Sequence, residues 1–428
     1  MFSPNSIQRL YYDWIKNFDP EIEKMLKTED FLKLISNHFT LISDIKSNLD
    51  NIFPFANHFH KIFDEIQRNT LSFFSIRKDS ELSPFDIEYI NGNTRLLHFR
   101  NKNAQNSENY PLLIIYATIN RFHIMDIEPD KSVIKSLLKR GLDVYVLDWG
   151  YPSTFGDTSL EDYLKYVKEA VHHIQFKSRL QTNSNKRFLN FAQSLANHDD
   201  IYNRNDGINS NSKISIIGYC WGGLIALIYA SLYNKNVKNL VLMATPFDLE
   251  KDKTILSAWA KAMDIDKYIN EIGHFNGFII DMGFVMHNPA RNGFDKYVTL
   301  LRKLDDPKFL KMFLAVERWL YDTPIILGKF LRQIINDCYK NNLLIKNKLR
   351  VDNKDVILHN ISMPLLTIVA ENDDLVSAGS SLEINNYVSS NKKDVLKVAE
   401  GGHVGLCISK TSHEKIWPKV AEWICTEK

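Results

Sequence analysis

The pattern of apolar positions changes near residue 80 of the chain. Before that point, apolar side chains recur at steps of three, four or seven residues, which is the spacing of one face of an α-helix. These positions include Ile22, Met25, Leu32, Ile35, Phe39 and Ile42. Residues 1–80 are therefore predicted to form a helical region. Its apolar stripe either packs on the rest of the chain or meets another protein.

Beyond Pro84, short continuous apolar runs alternate with helical patterns. Such runs are typical of strands buried on both faces of a parallel sheet. The predicted strands are residues 111–117, 143–148, 214–217, 240–244, 364–370 and 395–398. Helical patterns occupy 131–140, the stretch from Leu160 and the residues after 224. This order predicts an α/β fold with a mostly parallel central sheet covered by helices.

Two stretches interrupt the alternation. Residues 177–212 are rich in Asn, Ser and charged side chains, and they predict a surface excursion. Residues 246–360 carry helical patterns and many aromatic side chains, and they lie between two predicted strands. We expect this second insertion to be a helical lid. The predicted core then consists of residues 81–245 and 361–428.

Composition narrows the possible functions. The 428 residues carry a formal net charge of only +2, without long blocks of one sign, so the basic footprint of a nucleic-acid-binding protein is missing. The cysteines are Cys220, Cys338, Cys407 and Cys425. Their scattered spacing suits neither a metal site nor a disulfide scaffold. The sequence shows no secretory signal, and no apolar run approaches the ~20 residues that span a bilayer. We expect a cytoplasmic protein without a metal or cofactor.

One glycine-rich turn carries the strongest chemical signal. The segment Gly-Tyr-Cys-Trp-Gly-Gly at 218–223 follows a β-branched run and precedes an apolar helical segment. Glycines relieve the clashes of a sharp strand-to-helix turn, so Cys220 is expected to project alone above the sheet. The N-terminus of the new helix favours a thiolate there. Cys220 is therefore the candidate nucleophile, whereas the other three cysteines are expected to be structural.

An acid and a base follow Cys220 along the chain, each after a predicted strand. An acidic loop offers Asp373 and Asp374, and a later glycine loop offers His403. The order Cys, Asp, His is that of α/β-hydrolase triads, in which the imidazole takes the proton of the nucleophile and the carboxylate holds the imidazole. Both carboxylates directly follow the strand, so Asp373 and Asp374 stay alternatives at this point.

Acyl transfer also needs two N–H donors that stabilise the developing oxyanion. In an α/β-hydrolase the residue after the nucleophile supplies one of them, which is Trp221 here. The loop after the strand at 111–117 supplies the other, and we predict Ile119 for this role. These residues complete a site for nucleophilic acyl transfer in an α/β-hydrolase fold.

Several motifs together resemble the polyhydroxyalkanoate synthases, most closely the catalytic subunit of class III. They are the cysteine turn and residues 116–121, 147–152, 317–322 and 401–405, and the resemblance covers roughly residues 80–425. It implies polymerisation of (R)-3-hydroxyacyl-coenzyme A into a polyester with release of coenzyme A. The implied intermediate is an acyl-cysteine of a triad formed by Cys220, His403 and Asp373. The family's Asp-His loop aligns Asp373 with its acid, and Asp374 stands where a histidine is usual.

The same resemblance implies partners and a location. The implied partners are the growing polyester and a second, non-catalytic subunit, and the active form is a homodimer. The implied location is the surface of the polyester granule in the cytoplasm. Two alternatives stay open. The first alternative is a hydrolase of small molecules or thioesters with the same triad, because dienelactone hydrolases carry a similar cysteine turn followed by Asp and His. A catalytically silent granule-coat or scaffold protein is the other.

Overall fold

The computed structural model describes residues 83–100, 110–153, 156–182, 213–288, 290–303 and 305–426. The helical region predicted for residues 1–80 and most of the excursion predicted for 177–212 lie outside these ranges. Among the described helices, none combines the length and the apolar character needed to cross a membrane.

A mixed sheet of eight strands forms the centre of the described structure. The strands are β1 (Phe85–Asn91), β2 (Thr94–Phe99), β3 (Tyr110–Ile115), β4 (Leu142–Asp148), β5 (Ile214–Tyr219), β6 (Val237–Met243), β7 (Leu365–Ala370) and β8 (Lys393–Val398). Their order is β1-β2-β4-β3-β5-β6-β7-β8. Strand β2 is antiparallel to β1 and to β4, and the pairs from β4 to β8 are parallel. This confirms the predicted mostly parallel sheet.

Burial explains which strands the sequence reveals. Every residue of β5 and of β7 is buried, because helices cover both faces of the inner strands. The edge strand β8 alternates between exposed and more buried positions, and β1 mixes exposed with half-buried positions. The hairpin of β1 and β2 is absent from the sequence-based prediction. Its turn contains Gly92, which has a φ of 58°.

Helices flank the sheet and fill the insertion between β6 and β7. The helices of the core are α1 (Val133–Leu138), α2 (Leu160–Thr182), α3 (Trp221–Leu232), α10 (Ala378–Leu382), α11 (Gly405–Ile408) and α12 (Trp417–Thr426). Those of the insertion are α4 (Ile255–Ala262), α5 (Ile265–Ile272), α6 (Gly277–Met286), α7 (Lys296–Arg302), α8 (Pro307–Leu320) and α9 (Gly328–Gln333). We call this insertion the lid. Its exact boundaries stay a prediction.

Helix α2 corrects one predicted boundary. It continues to Thr182, whereas the sequence pattern places the start of the excursion at residue 177. The polar end of the helix has partners on both sides. Lys177 pairs with Glu88 of β1, and the Ser178 hydroxyl donates to the carbonyl oxygen of Ile174. Polar contacts within the helix and with β1 hold these residues, rather than an apolar face. The hydrophobic pattern therefore misses them.

Candidate active site

Cys220 occupies a strained turn between β5 and α3. Its φ of 54° and ψ of −125° lie in a region that residues other than glycine rarely adopt. The backbone is held from both sides, since the Cys220 N–H donates to the carbonyl oxygen of Met243 at 2.9 Å. The Cys220 carbonyl accepts from the N–H of Gly223, also at 2.9 Å. The turn raises the side chain above the carboxyl edge of the sheet, as the sequence predicts for a nucleophile.

The glycines after Cys220 permit close packing of α3 on the strand ends. A Cβ atom at Gly222 would lie 2.2 Å from the carbonyl oxygen of Ile115 and 2.3 Å from that of Tyr116. At Gly223 a Cβ atom would lie 1.9 Å from Oγ1 of Thr245. No larger residue fits at either position without moving backbone or neighbouring side chains. The N-terminus of α3 therefore starts directly beneath the cysteine.

His403 and Asp373 form a hydrogen-bonded pair. The ring atom Nδ1 of His403 donates to Oδ2 of Asp373 at 2.8 Å, and both side chains are almost fully buried. The other carboxylate oxygen of Asp373 accepts from the N–H groups of Leu375 and Val376, each at 2.9 Å. These two bonds fix the carboxylate, so that Oδ2 faces the imidazole. Asp373, in the loop after β7, thereby orients the ring of His403, in the loop after β8.

The charge balance at His403 favours an imidazolium. Burial on its own lowers the pKa of the ring. The negative charge of Asp373 and the interaction with Cys220 outweigh burial and raise the pKa well above 6.5. Since Nδ1 is occupied by Asp373, Nε2 is the atom left for Cys220. The arrangement can support a thiolate–imidazolium pair.

Asp374 bonds to side chains of the lid rather than to His403. Its Oδ2 accepts from Nη1 of Arg291 at 2.8 Å and lies 3.3 Å from Nε2 of His287. Both partners belong to the lid. The hydrogen bond from His287, followed by the charge of Arg291, lowers the pKa of Asp374 against the opposing effect of burial. The geometry thus brings Asp373 to the imidazole and uses Asp374 to tie the acidic loop to the lid.

The two predicted N–H donors come from different segments, the start of α3 and the loop after β3. Trp221 begins α3, so its N–H has no acceptor within the helix. Its indole Nε1 donates to the hydroxyl of Tyr339 at 3.0 Å, which fixes the side chain. Ile119 lies in the loop after β3 and lines the same cavity as Cys220. Their role as an oxyanion hole stays a prediction.

A cavity of about 570 Å³ lies above Cys220 and His403. Its walls come largely from the lid and are mainly apolar and aromatic. Lining side chains include Leu256, Trp259, Met263, Phe275, Ile280 and Trp319. Cys220 itself is 9% exposed, so it lies at the floor of the cavity. A space of this kind suits an acyl chain that must be kept from water.

A buried ion pair below the Ile119 loop was missed by the sequence reasoning. The Arg121 guanidinium lies 3.1 Å from the carboxylate of Asp148, and both side chains are buried. Arg95 and the Tyr116 hydroxyl also contact Asp148. Arg121 lies in the motif at residues 116–121 and Asp148 in the motif at 147–152. The sequence of two separate motifs does not reveal that their charged side chains meet.

Two of the remaining cysteines, Cys338 and Cys407, are buried thiols. Burial raises the pKa of Cys338 to about 12, and it raises that of Cys407 as well. Neither thiol is therefore prepared to ionise near neutral pH. Within the described residues, no group of three or more His, Cys, Asp or Glu side chains could hold a metal ion. Independence from a metal or cofactor stays a prediction.

Sequence profiles of two families match the chain. The one described as alpha/beta hydrolase fold covers residues 110–407. The one described as the N-terminus of poly-beta-hydroxybutyrate polymerase (PhaC) covers residues 40–137. The first match spans most of the described sheet and both loops that carry Asp373 and His403. It confirms the predicted α/β-hydrolase fold.

Three similar proteins are each described as poly(3-hydroxyalkanoate) polymerase subunit PhaC. The protein of Synechocystis sp. is 34% identical, over 73% of this chain and 77% of its own length. That of Thiocystis violacea is 31% identical, over 81% and 89%. That of Haloferax mediterranei is 33% identical over 80% of this chain, which spans 63% of that relative's length. By these matches, and in keeping with the cysteine turn and its neighbours, the chain belongs to the poly(3-hydroxyalkanoate) polymerase subunits of the α/β-hydrolase fold.

Proposed function

We propose that the protein polymerises (R)-3-hydroxyacyl-coenzyme A into a polyhydroxyalkanoate, with Cys220 as the acyl carrier. The observation that carries this proposal is the His403–Asp373 pair beside Cys220 at the floor of an apolar cavity. Family membership supports the substrate class. The apolar lining of the cavity is consistent with an acyl substrate of low polarity.

In the first half-reaction, His403 takes the proton of the Cys220 thiol at Nε2, and the thiolate attacks the carbonyl carbon of the substrate thioester. The negative charge moves to the carbonyl oxygen, where the N–H groups of Trp221 and Ile119 donate to it. As the carbon–sulfur bond to coenzyme A breaks, the imidazolium returns its proton to the leaving sulfur. One thioester replaces another, so the net free-energy change of this step is small.

In the second half-reaction, neutral His403 takes the proton of a 3-hydroxyl group on a second unit. The hydroxyl oxygen attacks the acyl-Cys220 carbonyl, an ester bond forms, and the Cys220 sulfur leaves and regains a proton from the imidazolium. An ester is more stable to acyl transfer than a thioester, so this step is downhill. Asp373 keeps the imidazole oriented and stabilises its positive form throughout.

The lid has a chemical purpose in this scheme. Water competes with the hydroxyl group for acyl-Cys220, and a cavity walled by aromatic side chains excludes it. On the same family basis, we propose that the protein acts in the cytoplasm at the surface of polyester granules. A second, non-catalytic subunit and a homodimer belong to this proposal.

The test uses purified protein and 3-hydroxybutyryl-coenzyme A, with free thiol and polymer followed together. Release of thiol with polymer is expected. Thiol release with only monomeric acid would indicate a hydrolase, and the lack of release, also after addition of a candidate second subunit, would indicate a silent scaffold. Cys220→Ala should abolish release, whereas Cys338→Ala, which removes a buried thiol elsewhere, should retain it.

A further inference from the structure

Three hydrogen bonds join the Ile119 loop to the end of α8 in the lid, and they run in both directions. The side-chain amide of Asn120 donates to the carbonyl oxygens of Leu320 at 3.2 Å and Trp319 at 3.4 Å. In return, the indole Nε1 of Trp319 donates to the carbonyl oxygen of Arg121 at 2.7 Å. The two residues that follow Ile119 are therefore both bonded to the same turn of the lid.

Helix chemistry explains why these contacts form. The last carbonyl groups of a helix lack N–H donors within it and carry the negative end of the helix dipole. The amide of Asn120 supplies N–H donors to this end of α8. It also donates to Oγ1 of Thr323 at 2.7 Å, and the Thr323 hydroxyl donates to Asp281 on α6. Three acceptors thus surround the buried amide.

The opposite side of the loop is held by the sheet. The buried guanidinium of Arg121 lies 3.1 Å from Asp148 at the end of β4 and 4.0 Å from the ring centre of Tyr151. The loop is thus fixed at Arg121 by the core, and at Asn120 and the Arg121 carbonyl by the lid. The proposed reaction uses the N–H of Ile119. Ile119 lies directly before Asn120, whose amide donates to the lid.

We infer that Asn120 is a positioning residue that holds the Ile119 N–H in place while the end of α8 is docked. This inference rests on the proposed function, because it concerns the oxyanion of the same acyl transfer. It couples two events. The lid contact strengthens stabilisation of the oxyanion, so acyl-Cys220 forms fastest when the lid covers it and water is excluded.

The test compares Asn120→Ala with Asn239→Ala. Asn239 is also buried and also donates to a carbonyl oxygen at the end of a helix, that of Ile424 at 3.2 Å. Turnover of 3-hydroxybutyryl-coenzyme A and of p-nitrophenyl acetate is measured per reactive cysteine, with KM and kcat separated. In parallel, the rate of Cys220 alkylation by iodoacetamide is measured, because alkylation forms no oxyanion.

Asn120→Ala should lower kcat on both substrates by roughly 10- to 100-fold, with KM within about threefold. Its alkylation rate should stay within about twofold of the wild type. Asn239→Ala should retain kcat. Trp319→Phe, which keeps the aromatic ring and removes the donor to Arg121, should lower kcat in the same way, and it serves if Asn120→Ala does not fold.

Equal kcat in Asn120→Ala and Asn239→Ala would overturn the inference. A fall in alkylation that matches the fall in turnover would overturn it too, since it would reveal a general disturbance of the site. The proposed function is judged separately by the wild type. If the wild type cleaves the nitrophenyl ester but does not polymerise hydroxyacyl units, the function fails while the role of Asn120 is still decided by the ester.

Discussion

The Tyr219 hydroxyl donates to the backbone carbonyl oxygen of His403 at 3.2 Å, and the two rings stack with their centres 4.9 Å apart. Tyr219 directly precedes Cys220, so this contact joins the cysteine turn to the histidine loop. Burial raises the pKa of Tyr219 well above 10, and the hydroxyl stays a donor. The position of the His403 loop therefore depends on the residue directly before Cys220.

We expect Tyr219→Phe to keep the ring stacking and lose the hydrogen bond. A lost bond of this kind is worth about 1 kcal/mol, which corresponds to a roughly fivefold fall in kcat. Steady-state turnover measures it. Tyr229→Phe is the matched control, because Tyr229 is equally buried and its hydroxyl accepts from Asn236. Equal kcat in both variants would contradict the positional role of Tyr219.

Replacement of Asp373 by Asn should disable the imidazole. The variant loses the negative charge that contributes most to the raised pKa of His403, so this pKa should fall. A loss of kcat of roughly 10³- to 10⁴-fold is expected, since the ring also loses its fixed orientation. Turnover measures the loss of kcat, and NMR titration of the His403 ring measures the change in its pKa.

Asp374→Asn is the control for this variant. Because Asp374 bonds to His287 and Arg291 rather than to His403, we expect kcat to stay within about threefold of the wild type. The titration of His403 should hardly move. If Asp374→Asn were as inactive as Asp373→Asn, the assignment of the acid to Asp373 would be wrong.

Gly222→Ala should prevent correct packing of the cysteine turn. The added methyl group would meet two backbone carbonyl oxygens at 2.2 and 2.3 Å, and backbone atoms yield little. We expect a loss of about 3 kcal/mol or more in the free energy of unfolding, or no soluble protein. Gly379→Ala in α10 has open space around the new methyl group and should change stability by less than about 1 kcal/mol. Equal stability of the two variants would refute this packing.

Asp281 on α6 should make the stability of the protein depend on pH. Burial raises its pKa from 3.8 to about 7, so the folded state binds this proton more tightly than the unfolded state. The stability that results is fully present below pH 3.8 and is lost as the pH rises through about 7. Asp281→Asn mimics the protonated form. Its free energy of unfolding should exceed that of the wild type by roughly 2 kcal/mol at pH 8.

Urea unfolding at several pH values measures this difference. The advantage of Asp281→Asn should shrink as the pH falls and disappear near pH 4. Asp266→Asn, which removes an exposed carboxylate of the lid, serves as the control and should show no such trend. A constant difference between Asp281→Asn and the wild type across this range would contradict the buried, proton-binding carboxyl group.

The inner strands and the cysteine turn were predictable from the sequence because their signals are local. A continuous, mainly apolar run marks each of β5 and β7, and the glycines around Cys220 lie within one segment of six residues. The hairpin of β1 and β2 was missed although Asn-Gly-Asn at residues 91–93 is a usable turn signal. Its edge strands lack the continuous apolar pattern of the inner ones.

The direction of side chains at the site was less predictable. Asp373 and Asp374 are neighbours, and reasoning from the residues alone left both as candidates. In the structure their roles separate through tertiary contacts, namely the bond from His403 to Asp373 and the lid side chains that bind Asp374. The contact of Asn120 with Trp319 joins positions almost 200 residues apart, which no local pattern encodes.

The central claim is that Cys220 carries the acyl chain, and mass spectrometry of the acylated enzyme tests it most directly. The wild-type protein is mixed with 3-hydroxybutyryl-coenzyme A, quenched in acid and digested with protease. We predict that the peptide with Cys220 gains the mass of one or more 3-hydroxybutyryl units, while the peptides with Cys338 and Cys407 do not. Release of coenzyme A with the acyl group on another residue, or with an unmodified Cys220 at every quench time, would contradict the account.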